Sequence, residues 1–310
     1  MIVTYISEGL GNQMFQYAAA FRLAHRHGVP LKLDNLIYFE FNRRPFRSGE
    51  RSFTVRRYAL DAFQVSAPAA TRAEIERYRR YPRRGLVERW QRLRERLSPP
   101  RRGLHLVEPP EGRFEPALLD APADCYVQGY WQSEDYFADV ADLVRAEFAF
   151  RVEPTGAAAG RWREMADGDA VSLHVRRGDK AWRQGIKTEH GVLPLDYYLQ
   201  AVRRVADRVR EPRFYVFSDD LPWARENLRL PFPLYFVDDN AGLPDHEDLR
   251  LMSACKHHIL ANSTFSWWGA WLRPAPDSVV VAPERWTHSA RLQNARLLPD
   301  RWLKLSTPLV

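Results

Sequence analysis

Residues 169–179, Asp-Ala-Val-Ser-Leu-His-Val-Arg-Arg-Gly-Asp, carry the side chains of this sequence best suited to chemistry on an anion. The apolar run at 170–175 reads as a parallel strand covered on both faces. It ends abruptly in Arg176 and Arg177. In open α/β sheets ligands bind beyond the carboxyl ends of such strands. Guanidinium keeps its charge at any working pH, and its planar donor fork matches phosphate bidentately, so a fork set at a strand end suits a diphosphate. The competing expectation is a plain Arg–Asp ion pair on the surface.

Three other stretches bear on that choice. Glu8-Gly9-Leu10-Gly11-Asn12-Gln13 lies at an expected strand-to-helix turn, where glycines allow close approach and a helix start offers N–H groups. It lacks the third glycine of a dinucleotide fingerprint, so a plain turn with Asn12 as cap competes with an anion loop. In Ala261-Asn262-Ser263-Thr264-Phe265-Ser266-Trp267-Trp268-Gly269 a strand runs through favoured N-cap residues into an apolar helix. The positive end of that helix would address the same crevice as Arg176. Trp267, Trp268 and Trp271 are expected in the core rather than under a sugar. Ser218-Asp219-Asp220 and Asp238-Asp239-Asn240 follow strands and imitate a metal-binding Asp-X-Asp, but arginines meet the same electrostatic need. P-loop, serine-elbow and zinc-protease signatures are missing from the sequence.

The elements that must position these residues alternate. A strand at 2–7, a loop at 8–12, a helix at 13–27 and a strand at 29–34 form a β-α-β unit, closed by Gly28-Val29-Pro30. Residues 34–113 show few strand signals and read as an insertion, with a helical stripe of Leu86, Trp90, Leu93 and Leu97. A strand at 125–130 follows, then a helix capped by Ser133 and running to about 148, and a connection at 153–156 with the alanines after it. Beyond it, strands at 170–175, 214–218, 234–237, 258–261 and 279–282 alternate with helices at 194–209, 222–228, 246–255 and 263–272. The expectation is an α/β protein with parallel, doubly wound sheets in two lobes, 1–152 and 153–310, the first carrying an insertion at about 35–115.

Composition narrows the class. The 310 residues are 45% hydrophobic with ten tryptophans, ample for two cores and too apolar for disorder. The apolar runs fall short of the ~20 residues of a membrane span. The chain starts in strand-like sequence without a signal-peptide pattern, so a cytoplasmic location is expected. Cys125 and Cys255 lie far apart and read as buried apolar residues, with neither disulfide nor zinc spacing. The net charge of +7 is local: residues 43–113 hold 19 arginines, no lysine and eight acids. That segment suits an anionic membrane surface, an acidic substrate or, as a distant alternative, nucleic acid.

Read in order, Gly9-Leu10-Gly11-Asn12-Gln13-Met14-Phe15-Gln16-Tyr17, Gly129-Tyr130-Trp131-Gln132-Ser133, His174-Val175-Arg176-Arg177-Gly178-Asp179, Phe217-Ser218-Asp219-Asp220 and Asn262 through Trp271 resemble the motifs of the α-1,2-fucosyltransferase family. The resemblance implies an inverting, metal-independent transferase of the GT-B build, with two facing Rossmann-like domains and GDP-fucose held mainly by the second. It gives Arg176 to the β-phosphate, His174 to the vicinity of the nucleotide, and Ser263, Thr264 and Phe265 to the diphosphate. Asn12 would face donor and acceptor across the cleft. Together with the motif layout it marks Arg177, Ser218, Asp219, Asn262, Gly11 and Gln13 as further donor-binding candidates, and Arg176, Asp179 and Asn12 as the catalytic set. Asp179, Glu189, His190 and Glu8 are all candidate bases. Lys180 departs from the family's usual tyrosine, which bears on acceptor preference. The implied partners are GDP-fucose and a galactose-containing or lipid-linked glycan, reached from the inner face of a membrane, with no cofactor. The alternative is a transferase of the same build with another nucleotide sugar or a non-galactose acceptor.

Overall fold

The computed structural model describes residues 1–41, 57–78, 103–109, 113–177, 191–238, 240, 242–288 and 296–309. Gly178, Asp179, Lys180, Glu189, His190, Asp239 and the Leu86–Leu97 stripe lie outside them.

The strands are β1 Ile2–Tyr5, β2 Leu31–Asp34, β3 Leu104–Val107, β4 Cys125–Gln128, β5 Ala170–Val175, β6 Arg213–Ser218, β7 Leu234–Phe236, β8 His257–Ile259, β9 Val280–Pro283 and β10 Leu303–Leu305. The helices are α1 Leu10–His27, α2 Leu36–Phe41, α3 Arg72–Glu76, α4 Ala141–Glu147, α5 Gly156–Ala166, α6 Leu195–Ala206, α7 Leu221–Asn227, α8 Asp245–Ala254 and α9 Thr264–Trp271.

Two sheets result, with strand orders β2-β1-β4-β3 and β10-β9-β8-β5-β6-β7, and their pairings are parallel. The second order is that of a dinucleotide-binding fold, in which winding reverses between the first and fourth strands, here β5 and β8. In the first sheet the reversal falls between β1 and β4. A crevice opens beyond the carboxyl ends of the strands at each such point. β5 is buried throughout, as its unbroken apolar sequence requires.

Several elements differ from the sequence expectation, which did not include helix α2 or the edge strand β10. Helix α1 begins at Leu10, because Gly9 takes an extended N-cap conformation; Asn12 therefore stands inside the first turn and is not the cap. The expected helix after Ser133 breaks into two short 3-10 turns before α4, since Phe137 leaves helical geometry to stack on Trp268. The alanines after 156 form α5 rather than a connection. In the expected insertion, β3 joins the first sheet, α3 starts with a Thr71–Glu74 capping box, and Ala69 bridges to Leu33.

One apolar core runs from α1 to α9: Met14 and Phe15 pack with the fully buried Trp267 and Trp268. Phe15 lies 4.5 and 4.9 Å from the two indole rings. The tryptophans thus join the two sheets, as expected of core residues. A second core fills one side of the larger sheet around β5, β6 and α6. Cys125 and Cys255 are both buried and free.

Candidate active site

The parallel register of β5 and β6 aligns Val175 with Ser218, so the residues that follow also run side by side. Arg176 Nε pairs with Asp219 at 3.1 Å, and Arg177 Nε with Asp220 at 3.5 Å. Asp219 also accepts the backbone N–H of Arg177 at 2.8 Å. These side chains are only 20–27% exposed, and the pairs fix the direction of each guanidinium. Arg177 is further committed: its guanidinium lies 3.8 Å over the Trp223 ring. Asp220 caps α7 by accepting from Trp223 N at 3.2 Å, while Ser218 Oγ accepts from Asp220 N at 2.9 Å. Ser218 and Asp219, expected beside the donor, are therefore the frame that aims the arginines. With two arginines facing two carboxylates, this corner carries no net charge, and its grip on an anion depends on directed N–H groups.

Helix α9 supplies such groups. It starts at the β5/β8 reversal with no side-chain cap and no acid in its first turn. Its first N–H groups lack intrahelical partners, and its dipole favours an anion there. Ser263, Thr264 and Phe265 are half-buried at this end. His174, near the end of β5, is buried with its ring 5.9 Å from that of Phe265. Asn262 sits deeper than expected of a donor ligand: its Nδ2 donates to the carbonyls of Trp286 at 3.1 Å and Gly191 at 3.4 Å, fixing the turn into α9.

The N-terminus of α1 abuts that of α9. A Cβ on Gly11 would come within 2.6 Å of Phe265 N and of the Thr264 carbonyl carbon, so only glycine permits the approach. Trp268 Nε1 donates to the Gly11 carbonyl at 2.9 Å. Asn12 Oδ1 accepts from Thr264 Oγ1 at 2.9 Å and from Gln132 Nε2 at 3.0 Å, which turns its Nδ2 donors the other way. Like α9, α1 has neither side-chain cap nor acid in its first turn. Gln13, expected at the donor, is fully buried: its amide binds the carbonyls of Glu8 and Arg57 and the N–H of Ala59, holding the Glu8 turn in place. Glu8 itself is exposed.

Gln132 belongs to the loop after β4, at the reversal of the first sheet. The Glu108 carboxylate clamps that loop, accepting from Tyr130 N at 2.5 Å and Trp131 N at 3.0 Å. Burial pushes the Glu108 carboxyl above its usual range, while the two N–H groups pull it back. Ser133 caps the next turn, accepting from Asp135 N, and donates to the Arg296 carbonyl.

The two reversal points thus meet at Asn12, which touches both. Asp219 and Asp220 as partners of the arginines, Gln132 as a ligand of Asn12, and Glu108 were not singled out by sequence reasoning; each depends on chain segments brought together by the fold. Asp238 pairs with Arg225 at 2.5 Å. Among the described residues no group of three or more His, Cys, Asp or Glu could hold a metal ion. No described helix is long and apolar enough to cross a membrane.

Residues 116–305 match the model of glycosyl transferase family 11. The chain is 32% identical over 312 residues to the O-antigen biosynthesis glycosyltransferase WbnK of Escherichia coli, covering 97% of this chain and 99% of the relative. Against an alpha-1,2-colitosyltransferase of Escherichia coli the identity is 26% over 324 residues, covering 98% and 99%. Human galactoside alpha-(1,2)-fucosyltransferase 1 shares 27% over 164 residues, 50% of this chain and 45% of that one. Among solved structures, NodZ alpha-1,6-fucosyltransferase soaked with GDP-fucose aligns with a TM-score of 0.50 at 16% identity over 88% of this chain and 92% of that one, a likeness of fold. With the family model spanning most of the chain and WbnK similar from end to end, this chain belongs to glycosyl transferase family 11 and is a glycosyltransferase.

Proposed function

We propose that the chain transfers L-fucose from GDP-β-L-fucose to a hydroxyl of a galactose-containing glycan, with inversion, across two facing Rossmann-like domains of residues 1–152 and 153–310. The observation that carries this reading is that Arg176, held by Asp219 at the end of β5, and the uncapped start of α9, which follows the neighbouring strand β8, lie at one sheet reversal. Both address one anion, and a diphosphate fits the pair. On this reading the acceptor oxygen attacks C1 of fucose from the face opposite the phosphate. The C1–O bond breaks, its electron pair leaves on GDP, and the hydroxyl proton passes to a base. Arg176 and the first N–H groups of α9 meet the charge growing on the β-phosphate oxygens, and stabilisation of that kind is commonly the largest catalytic contribution. Asn12 Nδ2, turned away from Thr264 and Gln132, points its donors at the junction of donor and acceptor.

The second reading changes the sugar and keeps the site: the similarity to an alpha-1,2-colitosyltransferase favours colitose as the transferred sugar. A panel separates them. GDP release should be followed with GDP-fucose, GDP-colitose, GDP-mannose and UDP-galactose, each against β-galactosides and β-glucosides. GDP-fucose with a galactoside should lead. Leadership by GDP-colitose or a glucoside supports the second reading, and turnover of UDP-galactose alone contradicts both.

A further inference from the structure

Among the described residues, two non-glycine residues have positive φ: Glu8 at 66° and Trp131 at 53°. They occupy the turns after β1 and β4, the two strands between which the first sheet reverses. Such geometry costs on the order of 1–3 kcal/mol and persists where the surroundings impose it, often at ligand sites. At Trp131 the surroundings are explicit. The indole is fully buried and edge-on to Tyr136 at 5.7 Å, and Glu108, just past the end of β3, accepts the backbone N–H of Trp131. The same carboxylate holds the N–H of Tyr130, and a Cβ on Gly129 would run into the Glu108 side chain.

What this clamp presents is Tyr130. Between the half-buried Gly129 and the buried Trp131, it is 43% exposed. It lies two residues before Gln132, within about 7 Å along the chain, and Gln132 binds Asn12, which binds Thr264 at the start of α9. An exposed aromatic residue at a sheet reversal, joined through Gln132 and Asn12 to the start of α9, fits a ligand with an apolar C–H face and polar edges.

We propose that Tyr130 is the platform on which the acceptor pyranose stacks, and that Glu108 is the positioning residue that fixes it. This rests on the glycosyl-transfer reading above and adds the acceptor side to it. Galactosides suit such a platform because the hydrogens on C3, C4 and C5 of galactose form one apolar patch.

The test uses saturation-transfer NMR on the GDP-saturated full-length protein with methyl β-galactoside, methyl β-glucoside and methyl N-acetyl-β-glucosaminide. Wild type, Tyr130→Ala, Tyr130→Phe and Glu108→Gln are compared, each checked for folding by circular dichroism and for GDP affinity by thermal shift. In wild type at least one sugar should receive saturation on its C–H face. Tyr130→Ala should lose it and weaken acceptor binding about tenfold, a contact worth ~1.4 kcal/mol. Tyr130→Phe should keep it, and GDP affinity should stay within about twofold throughout. Glu108→Gln, which replaces one acceptor oxygen by a donor, should weaken the sugar severalfold and raise acceptor KM with donor KM unchanged. Retained saturation in Tyr130→Ala, its loss in Tyr130→Phe, or no binding of any of the three sugars to wild type overturns the platform. Unchanged acceptor binding in Glu108→Gln overturns the positioning role. Failure of wild type to bind GDP would instead strike the donor reading.

Discussion

Among single residues, the arginines show what a sequence can and cannot disclose. A buried strand ending in Arg176 and Arg177 was legible because the signal is local: six consecutive buried positions, then charge. Their partners were not, because Asp219 and Asp220 come beside them only through the β5–β6 register. The expected ion pairs exist, with Asp219 and Asp220 as the partners, and they orient the guanidinium forks. Asn12 separates bracing from chemistry. Asn12→Asp keeps an oxygen for Thr264 and Gln132 but removes the Nδ2 donors and adds negative charge toward the donor. Its melting temperature should stay close to wild type, and its kcat should fall about 10²-fold, the scale of one lost preorganised donor. A wild-type rate in Asn12→Asp would leave Asn12 a bracing residue alone. His258 gives a pH prediction. It is fully buried in β8 with Nδ1 2.8 Å from Ser172 Oγ, and burial, then neighbouring His257 and Arg273, holds its pKa down to about 3. The unfolded chain takes up this proton below about pH 6.5, and the fold resists it to about 3. This contribution to stability is therefore complete above pH 6.5 and is lost progressively on acidification toward 3, at up to ~1.4 kcal/mol per pH unit. His258→Asn, which can keep a hydrogen bond to Ser172, should show a shallower acid slope in urea-unfolding midpoints at pH 6.5, 5 and 4. Equal slopes would contradict the assignment.

At the level of elements, patterns with one strong period were read correctly and mixed ones were not. The strand–cap–helix transition at 261–271 carries its own punctuation, and α9 begins beside Ser263 as that requires. Helix α5 was missed because two glycines among alanines read as a linker, though alanine favours the helix strongly. Strand β3 was missed because a short edge strand with exposed Leu104 and Val107 lacks a buried face to announce it. The broken helix after Ser133 answers to Trp268, which is supplied from the other half of the chain. The junction of α1 and α9 gives the mechanical test at this scale. Gly11→Ala places a methyl group against backbone atoms of Thr264 and Phe265, which rotamer changes cannot relieve. It should destabilise by ~1–3 kcal/mol, as overpacking does, and reduce activity because the first turn of α9 must shift. Gly160→Ala in α5, where a Cβ meets nothing within 4 Å, serves as the control and should be neutral or stabilising. Equal urea midpoints for the two variants would show that the close approach is not needed.

The molecule as a whole is two parallel sheets whose reversal points meet, joined by a tryptophan-rich core and bridged at Asn12. The second sheet's winding was legible from its strict strand–helix alternation. The joining of the halves was not, because Asn12 reaches Gln132 and Thr264 across 120 and 252 residues of chain. The central claim is that an oriented guanidinium and a helix start, rather than a metal ion, stabilise the departing diphosphate. The measurement that tests it most directly is the initial rate of GDP release from GDP-fucose in excess EDTA, for wild type, Arg176→Lys, Arg176→Ala and Arg177→Lys, with folding checked by circular dichroism. Wild type should keep its rate in the chelator. Arg176→Lys should fall nearly as far as Arg176→Ala, on the order of 10² to 10³, because ammonium keeps the charge and loses the fork. Arg177→Lys, whose residue is committed to Trp223 and Asp220, should be milder. A wild type silenced by EDTA and restored by Mn²⁺, or an Arg176→Lys as fast as wild type, would contradict the account.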